Sequence, residues 1–333
     1  MMPNFKKGLL FLAIVLCFYI LYQLINRRNT LLHENFETMP TIQNTFHFSL
    51  PLKEYLIFSS WNACVDTNMN VTLQQLENVM QSGCRFLDFE IYNIDGNPKI
   101  GYSSSIFEKT AAAQYLESDT LDFYDVCNKI LTAGSPNPND PLFLHFRIKS
   151  SHPKILDKMA DVLVATGISG KLYNDLTKNT MMSELKNRII ILVDKSYVSD
   201  IPESTSFQDI PESTSFQNLI TLYTNTPDFP SSKMQGKLES TFLKEVLAVT
   251  SDDDTTNVTT IQMVTPGLGG QHQSSNIGQS DFKKLVVNHK MQIIPYKFYS
   301  KDDGLTQYKS FFSNNGKKAF ISMAVAYRSL EHT

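Results

Sequence analysis

The chain contains 333 residues, of which 42% are hydrophobic and 19% are charged, and its formal net charge is −3. These values are ordinary for a globular protein that can bury a sizeable core. They argue against nucleic-acid binding, because the sequence shows no strongly basic face, no zinc-type cysteine spacing and no P-loop.

An apolar run extends from Gly8 to Ile25, and Gln23 is its only strongly polar residue. At about 1.5 Å per residue the run roughly matches the thickness of a hydrocarbon core. The sequence therefore predicts an N-terminal transmembrane anchor within residues 1–28 and a single-pass membrane protein. A cleaved signal peptide is the alternative, although Asn-Arg-Arg at residues 26–28 is not a small-residue cleavage site. Basic residues flank both ends of the run, so the topology stays open.

Residues 29–46 are polar and predict a stalk, and residues 47–333 predict one folded domain. Within this domain, helix-prone stretches alternate with strand-prone runs. The strand-prone runs are EYLIFSS, CRFLDFEIY, PLFLHFRI, RIIILVD, LITLYT, TTIQMVTP, MQIIPYKFY and AFISMAVA. This alternation predicts an α/β fold, and about eight strands match a (β/α)₈ barrel of the TIM type or a distorted form of it. Sites in such barrels lie at the C-terminal ends of the strands.

A nine-residue segment, DIPESTSFQ, occupies residues 200–208 and is repeated without change at residues 209–217. A tandem copy of this kind is tolerated in an exposed loop. The sequence therefore predicts a spacer across residues 197–218, between a first part at 47–196 and a second part at 219–333.

Two carboxylates, Asp88 and Glu90, alternate with apolar residues in a strand-prone run, which predicts that both project from one face. Two acids on one face need a cation, either a hard metal ion such as calcium or a neighbouring arginine or lysine. Asn62 follows another predicted strand and offers an amide oxygen of the kind that hard cations accept. A solvated strand face, with Asn62 as an ordinary turn residue, is the alternative.

The segment from residue 50 to 105 resembles the X-box of phosphatidylinositol-specific phospholipase C. The likeness lies in LPLKEYLIFSSWNACV and SGCRFLDFEIYNIDGNPKIGYSSS, against family patterns of Ser-Ser-His-Asn-Thr, Gly-Cys-Arg-x-x-Glu-x-Asp, Asp-Gly-x-Pro and His-Gly-His. The C-terminal run KMQIIPYKFYSKDDGLTQYKSFFSNNGKKAFI resembles, more loosely, the Y-box end of viral and protist phospholipase C-like proteins. The resemblance implies a barrel with an X-like and a Y-like part and a membrane lipid, such as a phosphoinositide headgroup, as its partner.

In that family two histidines act as general base and general acid, and calcium lowers the pKa of the attacking hydroxyl. On the family pattern, Trp61 stands at the first histidine and Ser104 at the second, and neither side chain exchanges a proton near neutral pH. Asn62, Asp88 and Glu90 match three calcium ligands, with the family's Glu and Asp exchanged.

The fourth calcium ligand of the family is a glutamate, and Arg147 aligns with it. An arginine there would repel calcium and could fill the cation position through a salt bridge, as bacterial relatives are understood to do. The expectation is therefore a degraded calcium site and no bound cofactor, with weak calcium binding as the alternative. The alternative is that Arg147 points outward from an edge strand. His145 shares a strand face with Arg147 by parity and is either a substitute base or a structural histidine.

Three functional hypotheses follow. The first is a membrane-anchored phospholipase C-like protein that has lost turnover and keeps the barrel as a binding or structural module. The second is an active phosphoric diester hydrolase with a rebuilt site, in which His145 is the base and Arg147 replaces the metal. The third is a structural membrane protein that has no ligand.

Overall fold

The computed structural model describes residues 49–102, 119–133, 139–149, 154–177, 179–194, 214–224, 231–233, 263–265, 275–316 and 318–331. The predicted anchor and stalk lie outside these residues, as do Ser104 and the first copy of the repeat. Across the described ranges, no helix combines the length and the apolar character that a membrane crossing requires.

The described strands are β1 (Tyr55–Ile57), β2 (Ser59–Trp61), β3 (Phe86–Ile94), β4 (Asn97–Gly101), β5 (Leu121–Asp122), β6 (Leu142–Lys149), β7 (Ile189–Asp194), β8 (Leu222–Thr224), β9 (Ser231–Lys233), β10 (Met263–Thr265), β11 (Tyr296–Lys297) and β12 (Phe320–Ser322). The helices are α1 (Leu73–Gln81), α2 (Phe123–Thr132), α3 (Lys154–Ala165), α4 (Thr214–Gln217), α5 (Gln279–Val287), α6 (Asp303–Asn314) and α7 (Met323–Glu331). Short 3-10 helices cover Leu52–Glu54, Ile168–Lys171 and Met182–Leu185.

A parallel sheet in the order β11-β2-β3-β6-β7-β8 forms the body of the domain. The hairpin strand β4 joins β3 in antiparallel fashion, so the sheet is mixed. Strands β9 and β10 pair in parallel, and Ile293 bridges Met263 on one side and Ile57 on the other. The predicted α/β class is confirmed. No pairing of β8 with β9 occurs among the described residues, so a closed eight-stranded barrel stays a prediction.

The apolar strands lie in the centre because both of their faces are covered. Strand β7 (Ile-Ile-Ile-Leu-Val-Asp) is buried along its whole length, which is typical of a parallel strand that is covered on both faces. On the outer face, Tyr296 stacks on Tyr308 of α6 with 3.8 Å between ring centroids. The Tyr308 hydroxyl accepts a hydrogen bond from the Ser59 backbone N–H at 2.9 Å. Helix α6 is thereby attached to β2, the strand that ends at Trp61.

One prediction about the second half of the chain is wrong. The run AFISMAVA is not one strand, because only Phe320–Ser322 is extended and pairs antiparallel with β1, while helix α7 begins at Met323. The alanine-rich continuation has high helix propensity, and Met323, Ala326 and Leu330 are buried at helical spacing. Of the predicted spacer, the structure describes only residues 214–218. Thr214–Gln217 forms α4, where Ser215 and Gln217 are exposed and Phe216 is 1% exposed, because a phenylalanine gains free energy when it is buried. The spacer as a whole stays a prediction.

A polar clamp holds the loop before α5 against the start of α6. The side chain of Asn276 accepts a hydrogen bond from the Lys297 N–H at 2.7 Å and donates one to the Lys297 carbonyl at 3.0 Å. Asp302 caps α6 and also accepts a hydrogen bond from the Asn276 N–H at 2.7 Å. This close approach leaves no space at Gly304, where an added Cβ would lie 2.6 Å from the Ile277 carbonyl oxygen.

Replacing Gly304 with alanine is expected to lower the free energy of unfolding by about 1–3 kcal/mol, because the new methyl group would force backbone atoms apart. Gly170→Ala is the matched control, since nothing lies within 4 Å of its added Cβ. Urea unfolding should place the control within about 0.5 kcal/mol of the wild type. Equal stability of the two variants would contradict the clamp.

Candidate functional site

Arg147 is the centre of a buried polar cluster on one face of the sheet, which we call the inner face. It lies on β6 and is 0% exposed. Its Nε donates to both carboxylate oxygens of Asp88, at 3.0 Å to Oδ1 and 3.2 Å to Oδ2. Its Nη2 donates to Asp88 Oδ2 at 2.7 Å. The guanidinium therefore binds this carboxylate through two of its nitrogens, the geometry in which arginine pairs are strongest.

Two further oxygen atoms accept hydrogen bonds from the guanidinium. Nη1 donates to Glu90 Oε1 at 2.6 Å, and Nη2 donates to Asn62 Oδ1 at 2.6 Å. Asn62 directly follows β2 in the left-handed conformation, at φ 48°, which asparagine tolerates better than most residues. Its backbone N–H donates to Asp88 Oδ2 at 3.1 Å. The turn after β2 thus directs an amide oxygen towards Arg147.

The register between β3 and β6 explains why these groups meet. Asp88 lies beside His145, and Glu90 lies beside Arg147, on adjacent parallel strands. Residues two apart on a strand share a face. Both acids of β3 therefore face the inner side together with His145 and Arg147.

Trp61 covers the guanidinium. Its ring centroid lies 3.7 Å from Arg147 Cζ, and the residue is 2% exposed. An arginine stacked on an indole face is stabilised by a cation–π interaction that strengthens when water is excluded. Among the residues that the structure describes, the Trp61 Nε1 donor has no hydrogen-bond acceptor.

His145 uses both of its ring nitrogens inside the cluster. Nδ1 lies 2.7 Å from Asp88 Oδ1, and Nε2 lies 3.0 Å from Thr224 Oγ1 on β8. All three side chains are buried. Because an ionised carboxylate only accepts hydrogen bonds, the Nδ1–H donates to Asp88. His145 thus connects the central acid to the far strand of the sheet.

An outer layer of polar groups surrounds Glu90. Tyr92 donates its hydroxyl hydrogen to Glu90 Oε2 at 2.7 Å. Lys149 is buried on the same strand as Arg147, and its positive charge acts on Glu90. Tyr299 lies in hydrogen-bonding reach of Asn62, and burial raises the pKa of its hydroxyl well above the ordinary value. Its phenol therefore stays protonated.

Both buried acids are ionised. Burial alone would raise the pKa of Asp88, but the charge of Arg147 and the hydrogen bond from His145 outweigh it, so the pKa is lowered. Burial would likewise raise the pKa of Glu90, and the charges of Lys149 and Arg147 with the Tyr92 hydrogen bond lower it. The cluster is therefore a set of compensated charges.

Calcium does not match the residues present. It needs six to eight oxygen ligands at about 2.3–2.6 Å. The oxygens of Asn62, Asp88 and Glu90 that would serve as ligands instead contact guanidinium nitrogens at 2.6–3.2 Å. A divalent ion there would also meet the positive charge of Arg147. Within the described part of the chain, no group of three or more His, Cys, Asp or Glu side chains is arranged to hold a metal ion.

The structure brings six of the seven predicted site residues together: Trp61, Asn62, Asp88, Glu90, His145 and Arg147. Ser104 lies outside the described residues. Two alternatives from the sequence are wrong. Asp88 and Glu90 do not form a solvated face, because both are fully buried. Arg147 does not point outward from an edge strand, because β6 lies between β3 and β7.

Four residues of the cluster are absent from the sequence-based prediction: Tyr92, Lys149, Thr224 and Tyr299. Strand parity could have indicated Tyr92 and Lys149, which lie two residues beyond Glu90 and Arg147. No local signal indicates Thr224 or Tyr299, because both reach the cluster from distant strands or loops. Their position depends on the sheet order.

Comparison with known proteins gives one family match and several solved structures of similar fold. Residues 48–195 match the family model for the X domain of phosphatidylinositol-specific phospholipase C. PLC21 from L. pealei superposes with a TM-score of 0.61 at 14% sequence identity, over 85% of this chain and 38% of that chain. PLC21 from S. officinalis gives a TM-score of 0.61 at 15% identity, over 88% of this chain and 39% of that chain. No curated protein matches this chain.

At these identities the two solved structures show a shared fold and nothing finer. This chain also spans only about two fifths of their length, 38% and 39%. The family match ends at residue 195, so the looser resemblance of the C-terminal part to viral and protist proteins stays a prediction.

Removing the Tyr92 hydroxyl with Tyr92→Phe is expected to lower the free energy of unfolding by about 1.5–3 kcal/mol, since a buried carboxylate would lose a hydrogen-bond donor. Tyr124→Phe is the control, because Tyr124 is 48% exposed. Urea unfolding should show less than about 0.5 kcal/mol of change for the control. A Tyr92→Phe value as small as that would mean that water replaces the hydroxyl.

The lowered pKa values of Asp88 and Glu90 predict sensitivity to acid. Their contribution to stability is complete above the ordinary carboxyl pKa, about 4, and is lost as the pH falls towards the lower folded-state pKa. Each carboxylate adds up to about 1.4 kcal/mol per pH unit to the slope of stability in that range.

The measurement is the free energy of unfolding between pH 6 and pH 3 in the wild type and in a quadruple variant, Asp88→Asn, Glu90→Gln, Arg147→Met and Lys149→Met. The quadruple variant removes the charges of the cluster and of the neighbouring Lys149 as a set, so it avoids leaving one of them uncompensated. Its slope below pH 5 is expected to be shallower. Equal slopes of stability against pH in the two proteins would refute the assignment of the acid sensitivity to Asp88 and Glu90.

Proposed function

This chain belongs, through residues 48–195, to the phosphatidylinositol-specific phospholipase C X-domain family, and from this we propose that it is a phospholipase C-like protein that has lost turnover. In this proposal residues 8–25 anchor the chain in a membrane. The domain is a (β/α)₈ barrel that closes between β8 and β9, and it serves as a lipid-headgroup-binding or structural module.

The contact between Arg147 and Trp61 is the observation that carries the proposal. On the family pattern, Trp61 stands at the general base and Arg147 at a calcium ligand. An indole N–H is a donor only and does not exchange a proton near neutral pH. The guanidinium covers the indole face at 3.7 Å and engages the oxygens that a metal would need. These contacts support a position at which the guanidinium takes the place of a metal ion and the indole offers no base.

The burial of His145 supports loss of turnover over a rebuilt site. A general base must come within hydrogen-bond reach of the proton that it removes. Both ring nitrogens of His145 already contact Asp88 and Thr224, and all three side chains are buried. The hydrogen-bonded series Thr224, His145 and Asp88 has the residue types of a nucleophilic triad. Burial keeps it from a lipid substrate, so a structural role is the better account.

The family description supports a membrane lipid as the partner, with a phosphoinositide headgroup as the ligand to test first. Loss of a general acid or a general base costs on the order of 10²–10⁴-fold in rate each. Turnover would then be very slow even if the headgroup still bound.

The test is the release of inositol phosphate from phosphatidylinositol vesicles by the full-length chain, with calcium and with chelator. The double variant Asp88→Asn, Glu90→Gln is the blank. The expected result is no release above the blank in either condition. Release above the blank would instead support the alternative, an active phosphoric diester hydrolase with a rebuilt site.

A second measurement distinguishes a headgroup-binding module from a structural one. In a calorimetric titration of the full-length chain with glycerophosphoinositol, a saturable heat is expected if the barrel binds the headgroup. A flat titration together with no release would indicate a structural role.

A further inference from the structure

The loop between β2 and α1 contains Asn70-Val71-Thr72, an acceptor motif for N-linked glycosylation. A tripeptide of this kind often arises by chance, so its position in the fold decides whether it can be used. Asp66 Oδ1 accepts hydrogen bonds from the backbone N–H groups of Asn68 at 2.8 Å and Asn70 at 3.0 Å. The Asp66 N–H in turn donates to the Asn70 carbonyl at 2.8 Å. These bonds fix the backbone of Asn70 in a turn and do not use its side-chain amide.

The burial pattern of this turn directs the Asn70 side chain outward. Val65 and Val71 pair across the turn in an antiparallel bridge, and they are 1% and 6% exposed. Neighbouring residues of an extended segment point to opposite sides, so the buried Val71 leaves Asn70 on the solvent side, where it is exposed. A glycan is bulky and hydrated and needs such a surface position.

Thr72 supplies the hydroxyl that the motif requires. In the folded domain its Oγ1 accepts a hydrogen bond from the Gln75 N–H at 3.1 Å and thereby caps α1. The cap uses the threonine and the glycan would use the asparagine amide. The fold of this loop therefore accommodates the modified chain.

The same loop begins at the polar cluster. Its first residue, Asn62, contacts Arg147, and the Thr72 N–H donates to the Cys64 carbonyl at 2.8 Å, so the loop returns to the end of β2. Asn70 thus lies at the C-terminal edge of the sheet, where barrel enzymes have their sites. A glycan at Asn70 would stand on the same edge as the candidate site.

The cysteines that the structure describes are compatible with an oxidising compartment. Cys64, Cys84 and Cys127 are free thiols and are at most 1% exposed. Burial raises the pKa of all three thiols, and that of Cys84 to about 12. Oxidation of a thiol proceeds through an accessible thiolate, so these buried thiols would persist without forming disulfides.

We propose that Asn70 is N-glycosylated and that the folded domain lies on the luminal side of a secretory membrane. In this step Asn70 Nδ2 forms a bond to the anomeric carbon of an oligosaccharide that is linked to a lipid diphosphate. The bond from that carbon to the diphosphate oxygen breaks, the lipid diphosphate leaves, and the amide loses one proton. The inference rests on one element of the proposed function, the anchor at residues 8–25. The glycan would fix the topology that the basic residues on both sides of the anchor leave open.

The test is expression of the full-length chain in a eukaryotic cell line, followed by electrophoresis with and without peptide N-glycosidase. All chains carry Asn257→Gln, because Asn257-Val258-Thr259 is the only other motif of this type in the sequence. The glycosidase is expected to increase the mobility of the chain that retains Asn70. Asn70→Gln should run at the position of the deglycosylated chain and should not respond to the enzyme.

Neighbouring substitutions are the matched controls. Asn68→Gln changes an exposed asparagine of the same turn that lies outside the motif, and it should keep the shift. Thr72→Ser retains the hydroxyl and should keep the shift, whereas Thr72→Ala should lose it. The inference is overturned if the chain that retains Asn70 shows no shift, or if the shift persists in Asn70→Gln.

Failure of this inference is distinguishable from failure of the proposed function. Alkaline extraction of the cell membranes reports on the anchor, vesicle hydrolysis reports on turnover, and the glycosidase reports on Asn70. A chain that resists extraction but shows no shift overturns only the present inference. A glycosylated chain that releases inositol phosphate overturns only the proposed loss of turnover. An extractable chain without a shift overturns both the anchor and the present inference.

Discussion

The burial of two carboxylates on a central strand is the constraint on which the inner face of this domain depends. Asp88 and Glu90 are both fully buried on β3. An uncompensated buried ion costs several kcal/mol, and breaking a buried pair typically costs about 3–5 kcal/mol. Arg147 on the adjacent strand compensates the two negative charges, and three of its nitrogens donate hydrogen bonds to the carboxylates. Such a cluster is weak evidence for high stability, but it strongly restricts which arrangements of the strands are possible.

The restriction acts on strand register. A shift of one residue between β3 and β6 would turn the side chains of one strand to the opposite face and separate the charges. The apolar residues of these strands, which are buried on both faces, would tolerate such a shift better. The ion pair therefore favours the observed register over a shifted one more strongly than hydrophobic burial alone would. Through Asn62 and the contact of His145 with Thr224, the same cluster also connects β2 and β8 to the central pair.

How much of this arrangement the sequence predicts depends on how far apart along the chain the contacting residues lie. The shared face of Asp88 and Glu90 follows from a two-residue period, which is a local property. The contact of these two acids with Arg147 can be predicted only from the family resemblance, which aligns Arg147 with a calcium ligand. Thr224 and Tyr299 could not be predicted, because their contacts depend on the order of the sheet. Phe216 was missed for a different reason. A repeat suggests an exposed loop, whereas one aromatic residue in it gains enough from burial to fold its last turn onto the domain.

The residues at positions 61 and 147 are physically coupled, because their side chains are in contact. On the family pattern the first position carries a histidine and the second an acid, and here they carry an indole and a guanidinium. A histidine at position 61 would place a ring that can take a positive charge at the distance now held by Trp61, 3.7 Å from the Arg147 guanidinium. That neighbour would lower the pKa of the imidazole and disfavour its charged form. An indole has no such conflict, because its π face attracts the cation. A histidine at position 61 alone would thus lie beside a positive charge, and Arg147 would have to be replaced as well before that imidazole could readily accept a proton.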